Sequence, residues 1–275
     1  MPSQNSLPFP RGVTTPLGDL NKWVSQKDQH IRQLLIQDIE STTGRRLIVY
    51  FTNCDGTDAL IDASDDVYLK ALLDDCGGVD FDLLLETNGG MTDATEKLCS
   101  MLRSIGNSYR VIVPRRAKSN GTVIAISGNI IVMGYASELG PIDPSIGGIP
   151  VEFIINDTTG TFNTIDIQTA QTARSQTRKL AKEMLSTGMM AGFTDQELEE
   201  TIDKIATRNH FHSHGSVMNA TEAKSLNLKV EFLQSQDDLW RKIWLLRSLY
   251  QTDCESNGYS KIFESSNVNS TLKQT

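Results

Sequence analysis

The chain has 275 residues, of which 39% are hydrophobic, 22% charged and 7% aromatic. These are the proportions of an ordinary globular protein, and they exclude a largely disordered chain, a collagen-like repeat and a pure coiled coil. The formal net charge is −8 at pH 7. Because an acidic surface repels phosphate groups, neither nucleic acid nor an anionic membrane is an expected partner.

No run of apolar residues reaches the roughly 18 that a membrane-spanning helix needs. The N-terminus also lacks the basic and then apolar pattern of a signal peptide, so we expect a cytoplasmic protein without a transmembrane segment. Its four cysteines lie far apart, in no metal-binding spacing: Cys54, Cys76, Cys99 and Cys254. In a reducing cytosol they are expected to be buried thiols rather than disulfides or zinc ligands.

Composition divides the chain into three parts. Residues 1–16 contain four prolines and are predicted to form an irregular arm. Residues 17–252 are predicted to form one domain, long enough to bury a substantial core. Residues 253–275, which are rich in serine and asparagine, are predicted to be a disordered tail.

Helical and strand patterns alternate along the first half of the domain. An amphipathic helix over about 20–40 should end at Gly44, and further helices are predicted over 64–74, 92–105 and 119–127. Predicted strands cover 46–51, 81–85, 111–113 and 130–133. Because these strands are almost entirely apolar, they indicate a parallel sheet covered on both faces. The second half is predicted to be rich in helix, with helices over 166–186, from Thr194, from Asn219 and over 236–250.

Two strand-to-helix turns contain candidates for chemistry. In the first, Gly89 and Gly90 allow a sharp turn and leave N–H groups free at a helix N-terminus, where they can bind an oxyanion. Tight packing alone also explains such a pair of glycines. In the second turn Ser119 lies at the carboxyl edge of the sheet, where it is either the helix N-cap or a nucleophile. A hydroxyl and free amides from neighbouring strands suit acyl transfer.

Four segments in this order carry a resemblance to a known family: DFDLLLETNGG at 80–90, VIVPRRAKSNGTVIAISGNIIVM at 111–133, ELGPIDPSIGG at 138–148 and HSHGSVMNATEAKSLNL at 212–228. Together with the leading helix and strand, residues 28–230 resemble the Clp-protease/crotonase superfamily. The match is closest to the SDH-family Clp-fold serine proteinases.

The resemblance implies an α/β, Clp/crotonase-like fold of repeated βαβ units with a helical C-terminal part. It also implies a serine peptidase that cleaves polypeptides through an acyl-enzyme on Ser119, with the N–H groups of Gly90 and Asn120 as the oxyanion hole. No metal or organic cofactor is implied, and a homo-oligomer is expected because superfamily members usually assemble as rings.

The sequence leaves open which side chain is the base that activates Ser119. The resemblance places His214 next to the position of the Clp catalytic aspartate and Asp143 next to that of the histidine. A triad of Ser119, His214 and Asp143 is therefore one hypothesis, since triads depend on geometry and not on chain order; a purely structural role for Asp143 is the alternative. Signal-peptide peptidases, which look similar, use a lysine base, for which the candidates here are Lys179, Lys182 and Lys118.

The sequence departs from the family pattern at three places. Asn88 stands where the family usually has proline, Asn120 where it commonly has glycine, and residues 215–217 (GSV) where it has Asp-Tyr-Pro. These departures favour an alternative hypothesis, in which the chain is a non-catalytic assembly or scaffold protein that kept the fold. A crotonase-like acyl-CoA enzyme is a further alternative, although it would not need a serine at position 119.

Overall fold

In a computed structural model of the chain, residues 26–57, 59–105 and 108–273 are described. The irregular arm predicted at 1–16 and the predicted start of the domain lie outside these residues. The helices are α1 (Lys27–Thr43), α2 (Asp65–Cys76), α3 (Thr92–Ile105), α4 (Asn120–Ser127), α5 (Val151–Ile155), α6 (Thr164–Ser186), α7 (Asp195–Ala206), α8 (Ala220–Ser225) and α9 (Asp238–Asn257). The strands are β1 (Arg46–Thr52), β2 (Phe81–Glu86), β3 (Tyr109–Val113), β4 (Arg116–Ala117), β5 (Ile130–Met133), β6 (Glu138–Leu139), β7 (Ser145–Ile146), β8 (Ile149–Pro150), β9 (Val230–Phe232), β10 (Tyr259–Glu264) and β11 (Asn269–Lys273).

Local sequence signals set several helix boundaries. Gly44 adopts a left-handed conformation and ends α1, because its N–H bonds back to Glu40 while its missing Cβ removes the steric penalty. Thr194 and Glu197 form a capping box at the start of α7, and the Asn219 side chain caps α8. Each cap satisfies N–H groups that a helix start otherwise leaves unpaired.

The main sheet has seven strands in the order β11-β10-β1-β2-β3-β5-β9. Strands β1, β2, β3, β5 and β9 run parallel, which confirms the predicted parallel sheet. One face of the sheet packs against α2, α3, α4, α6 and α7, and the other against α1 and α9. Since both faces are covered, the strands have no polar face, and this explains their unbroken apolar sequences.

The predicted disordered tail at 253–275 is wrong for the described residues. Helix α9 continues through Asn257, and β10 and β11 then add to the sheet as an antiparallel hairpin. Strand β10 is buried although it carries Lys261 and Glu264, because each charge is paired in the interior. Lys261 binds Asp65 at 2.7 Å, and Glu264 binds Arg32 at 2.7 Å.

The cysteines are buried free thiols, as predicted. Burial raises the pKa of Cys99 to about 12, so this thiol is protonated and unreactive. Among the described residues, no helix has both the length and the apolar composition of a membrane span.

A second, smaller sheet lies beyond the carboxyl ends of β2 and β3. Thr87 pairs in parallel with Ala117 of β4, and Ala117 pairs in parallel with Leu139 of β6. Leu139 then pairs antiparallel with Met218, in a bridge closed by two N–H to C=O bonds of 2.9 and 3.0 Å. Four segments that are distant in sequence therefore lie side by side.

Candidate active site

The small sheet brings the residues predicted for the site to one edge. Gly90, Ser119 and Asp143 each follow one of the three parallel segments, while His214 precedes Met218 on the antiparallel one. Residues after a strand and residues before its antiparallel neighbour lie at the same end of a sheet. The topology thus collects all four positions, although they span more than a hundred residues of sequence.

Ser119 has an unusual backbone conformation at the start of α4. Its φ is 51° and its ψ −124°, and it is one of the few described residues other than glycine with positive φ. Such a conformation costs about 1–3 kcal/mol and is typical of residues held for function. Ser119 is the N-cap residue of α4, but its hydroxyl makes no cap hydrogen bond, so capping does not explain the serine side chain.

The Gly89–Gly90 turn is packed directly against Ser119. A Cβ added at Gly89 would lie 2.8 Å from the Ser119 Cβ and 3.0 Å from the Asn120 backbone nitrogen. A Cβ added at Gly90 would overlap the backbone of Ile61. Only glycine fits at either position, because the backbones on both sides approach too closely for a side chain.

Ile61 fixes the direction of the Gly90 N–H. The Ile61 N–H donates to the Gly89 carbonyl at 2.8 Å, and the Ile61 carbonyl accepts from the Met91 N–H at 2.9 Å. In a trans peptide the C=O and N–H point in opposite directions, so the Gly90 N–H points away from Ile61. Within the described residues neither this N–H nor that of Asn120 has an acceptor, which leaves both free to bind an oxyanion.

His214 and Asp143 form a hydrogen-bonded pair. The Nδ1 of His214 lies 2.8 Å from Oδ1 of Asp143, whose side chain is only 3% exposed. Since an ionised carboxylate only accepts, Nδ1 is the donor of this bond, and in the neutral form of the imidazole Nε2 carries the lone pair. Arg208 donates from Nε to the other Asp143 oxygen at 3.0 Å. The aspartate is therefore held from two sides.

The small sheet explains why this pair forms. Counted from the bridge between Leu139 and Met218, Asp143 lies four residues after one partner and His214 four residues before the other. The bridge therefore brings the two segments together near this pair, although the ladder does not extend as far as Asp143 and His214. No hydrogen bond joins the Ser119 hydroxyl to His214 in the part of the chain that the structure describes.

The alternative lysines are in other environments. Lys179 is exposed on α6, and Lys182 bonds Glu199 at 2.8 Å. That bond raises the pKa of Lys182 above its usual value, which is the opposite of what a lysine base requires. Burial lowers the pKa of Lys118, but its Nζ donates to the Ser216 carbonyl at 2.9 Å and lies 3.3 Å from Glu138. Lys118 thus links the Ser119 segment to the His214 segment.

Three histidines alternate with other residues along 210–214, but the segment forms turns rather than an extended strand, so they have different partners. His210 contacts Glu222 at 3.1 Å and His212 contacts the Arg208 carbonyl at 3.1 Å. No group of three or more His, Cys, Asp or Glu side chains among the described residues could hold a metal ion.

Sequence reasoning missed the roles of Arg208, Asn88 and the Asn120 side chain. Nothing near Arg208 in sequence indicates that it contacts Asp143, because the contact depends on the tertiary fold. The two asparagines were visible only as departures from the family pattern. In the structure the Asn88 side chain donates to the Cys54 carbonyl at 2.7 Å, and that of Asn120 to the Gly90 carbonyl at 2.5 Å.

Comparisons with known proteins identify the family of the chain. Two uncharacterized proteins of Methanocaldococcus jannaschii are 27% and 25% identical to the chain over 186 and 175 residues. These matches cover 64% and 62% of this chain, and the chain spans 60% and 56% of those relatives' lengths. Among solved structures, ClpP1 from Listeria monocytogenes is 13% identical, with a TM-score of 0.45 and coverage of 73% of this chain and 98% of that one. Residues 59–267 match the family described as ClpP-like SDH-type serine proteinase, and the chain therefore belongs to that family.

Proposed function

We propose that this protein is a serine peptidase that cleaves polypeptides through an acyl-enzyme on Ser119. The observation that carries the proposal is the shared edge of the small sheet. There the strained Ser119, whose hydroxyl has no hydrogen bond among the described residues, lies against two N–H groups that have no acceptor in the same part of the chain. The Asp143-bound imidazole of His214 is at the same edge. Family membership supports the reaction class, and the geometry supports these residues for its roles.

In the proposed reaction the Ser119 Oγ attacks the carbonyl carbon of the scissile peptide bond while Nε2 of His214 takes its proton. The carbonyl oxygen becomes an oxyanion bound by the N–H groups of Gly90 and Asn120. His214 then gives the proton to the leaving amine as the C–N bond breaks. Water, activated by the same imidazole, hydrolyses the ester and regenerates Ser119.

His214 must come within hydrogen-bond reach of Ser119 for this chemistry, and we propose that bound substrate brings the two together. Catalytic hydrogen bonds are often loose without substrate and tighten in the complex. The imidazole side chain is 40% exposed and lies on an irregular segment between α7 and α8. A bound polypeptide would cover it and draw it toward the serine.

Digestion of unfolded casein tests the proposal. Wild type, Ser119→Ala and Ser145→Ala should be purified identically and assayed together between about pH 6 and pH 9. Ser145 is an exposed serine two residues after Asp143, so its replacement controls for handling. Cleavage by wild type and Ser145→Ala alone supports the proposal. Equal cleavage by all three contradicts it, and no cleavage by any of them favours the non-catalytic scaffold.

We also propose that the protein works in the cytoplasm as a homo-oligomer. Four buried thiols suit a reducing compartment. Large apolar side chains that stand exposed on the described surface suit a subunit interface: Val67, Tyr135, Phe153 and Ile165. Analytical ultracentrifugation should show a species larger than the 30.4 kDa of a single chain. A monomer at all concentrations would contradict the proposed homo-oligomer.

A further inference from the structure

Several hydrogen bonds hold the backbone around Gly90. The carbonyl of Gly89 and the N–H of Met91 both bond to Ile61, and the carbonyl of Gly90 accepts from the Asn120 side chain. The Gly90 N–H itself has no acceptor in the described chain. These bonds hold the turn in place, and the Gly90 N–H is left available to a ligand atom.

Asn120 contributes to this arrangement twice. Its backbone N–H is the second free donor, and its side-chain amide donates to the Gly90 carbonyl at 2.5 Å and to the Thr92 hydroxyl at 3.2 Å. Both N–H donors of that amide are therefore used. The side chain is enclosed, since the residue is only 7% exposed. The amide spans the contact between the Ser119 turn and the glycine turn.

Asn88 holds the other end of the glycine turn. Its side chain donates to the Cys54 carbonyl at 2.7 Å, which anchors the turn to the loop after β1. A side-chain hydrogen bond can restrict a backbone as a rigid residue does. The two asparagines thus fix the glycine turn from both ends.

We propose that Asn120 is a positioning residue of the oxyanion hole, whose side-chain amide sets the distance between the Gly90 and Asn120 N–H groups. This inference rests on the proposed function and deepens it. Asn120 stands where the family commonly has glycine, and that departure favours a non-catalytic protein. In this proposal the same residue instead supports catalysis, because it positions the two N–H groups of the oxyanion hole. Misplacing a catalytic group by about 1 Å can cost about 100-fold in rate.

The test compares Asn120→Asp, which keeps size but loses both amide donors, with Asn120→Ala, which removes them without adding charge. Asn129→Asp is the matched control. The side-chain oxygen of Asn129 accepts a hydrogen bond from the Tyr109 N–H, and aspartate keeps that acceptor. We expect kcat to fall about 10- to 100-fold in both Asn120 variants, with KM within about twofold of wild type. Asn129→Asp should keep the wild-type kcat.

A second readout separates positioning from general damage. A peptidyl trifluoromethyl ketone forms an oxyanion on the serine, so its affinity should fall in proportion to kcat/KM in the Asn120 variants. If folded Asn120→Ala keeps both kcat and ketone affinity while Ser119→Ala is inactive, this inference is overturned and the proposed function stands. A wild type that neither cleaves peptide nor binds the ketone overturns both.

Discussion

The two sides of Ser119 are built differently. On the oxyanion side, Gly89, Ile61 and Asn120 are buried, and hydrogen bonds join the glycine turn to Ile61 and to the side chain of Asn120. On the base side, His214 is part of an irregular segment, and its imidazole is held by a hydrogen bond to Asp143. In the proposed mechanism, the oxyanion hole would therefore be formed before substrate arrives, whereas the base would complete its contact with the serine only afterwards.

Among substitutions on the two sides of Ser119, we expect replacement of His214 to lower kcat the most. Replacing a triad histidine can lower kcat by about 10⁶-fold, as much as removing the nucleophile. We therefore expect His214→Ala to abolish peptide cleavage while leaving the fold intact, because the side chain is 40% exposed. Steady-state kinetics with Lys182→Met as the matched control checks this, and an active His214→Ala beside an inactive Lys182→Met would transfer the role of base to the lysine.

Asp143→Asn should have the next largest effect. An amide in place of the carboxylate can donate to Nδ1 and so stabilise the wrong imidazole tautomer, a change that lowers kcat by about 10⁴-fold in triad enzymes. The loss should appear in kcat more than in KM. If Asp143→Asn cleaves at the wild-type rate, Asp143 has only a structural role in its bonds to His214 and Arg208.

Gly90→Ala addresses the oxyanion side. The new Cβ would overlap the Ile61 backbone, so the turn must shift and carry its N–H away from the oxyanion. Loss of one such donor costs about 10²- to 10³-fold in kcat. Gly160→Ala is a suitable comparison, since Gly160 also has positive φ but open space around its Cβ position. Equal kcat in the two variants would show that the Gly90 N–H takes no part.

Lys261→Met tests whether the C-terminal hairpin supports the fold rather than the chemistry. Removing the lysine leaves Asp65 charged and buried, at a cost of about 3–5 kcal/mol in the free energy of unfolding. Lys242→Met, which breaks an exposed pair with Asp238, should cost less than about 1 kcal/mol. Chemical denaturation measures both, and kcat of folded Lys261→Met should stay within about threefold of wild type. A stable Lys261→Met would contradict the account of β10.

Much of the parallel sheet is predictable because its elements carry strong local patterns. The predicted bounds of α3 and β5 match the structure, since amphipathic spacing and an unbroken apolar run mark them. Strand β10 was missed because Lys261 and Glu264 give it a polar sequence, and their burial depends on partners more than a hundred residues away.

The sequence predicts the residues on the oxyanion side of the site better than those on the base side. Gly90, Ser119 and Asn120 lie in turns that the sequence marks with glycines after apolar strands. The contact between Asp143 and His214 crosses 71 residues and depends on two-residue strands whose pairing is non-local. Such short strands have no periodicity of their own, so only the family resemblance suggested the pair, and the role of His214 stays a prediction.

The most direct measurement is the covalent labelling of Ser119. Wild type and Ser119→Ala should be treated with a fluorophosphonate, which phosphonylates an activated serine as fluoride leaves, and then analysed by intact-protein and peptide mass spectrometry. We predict one adduct per chain in wild type, located on Ser119, and none in Ser119→Ala. A folded wild type that forms no adduct, or an equal adduct in both proteins, would contradict the assignment of Ser119 as the nucleophile.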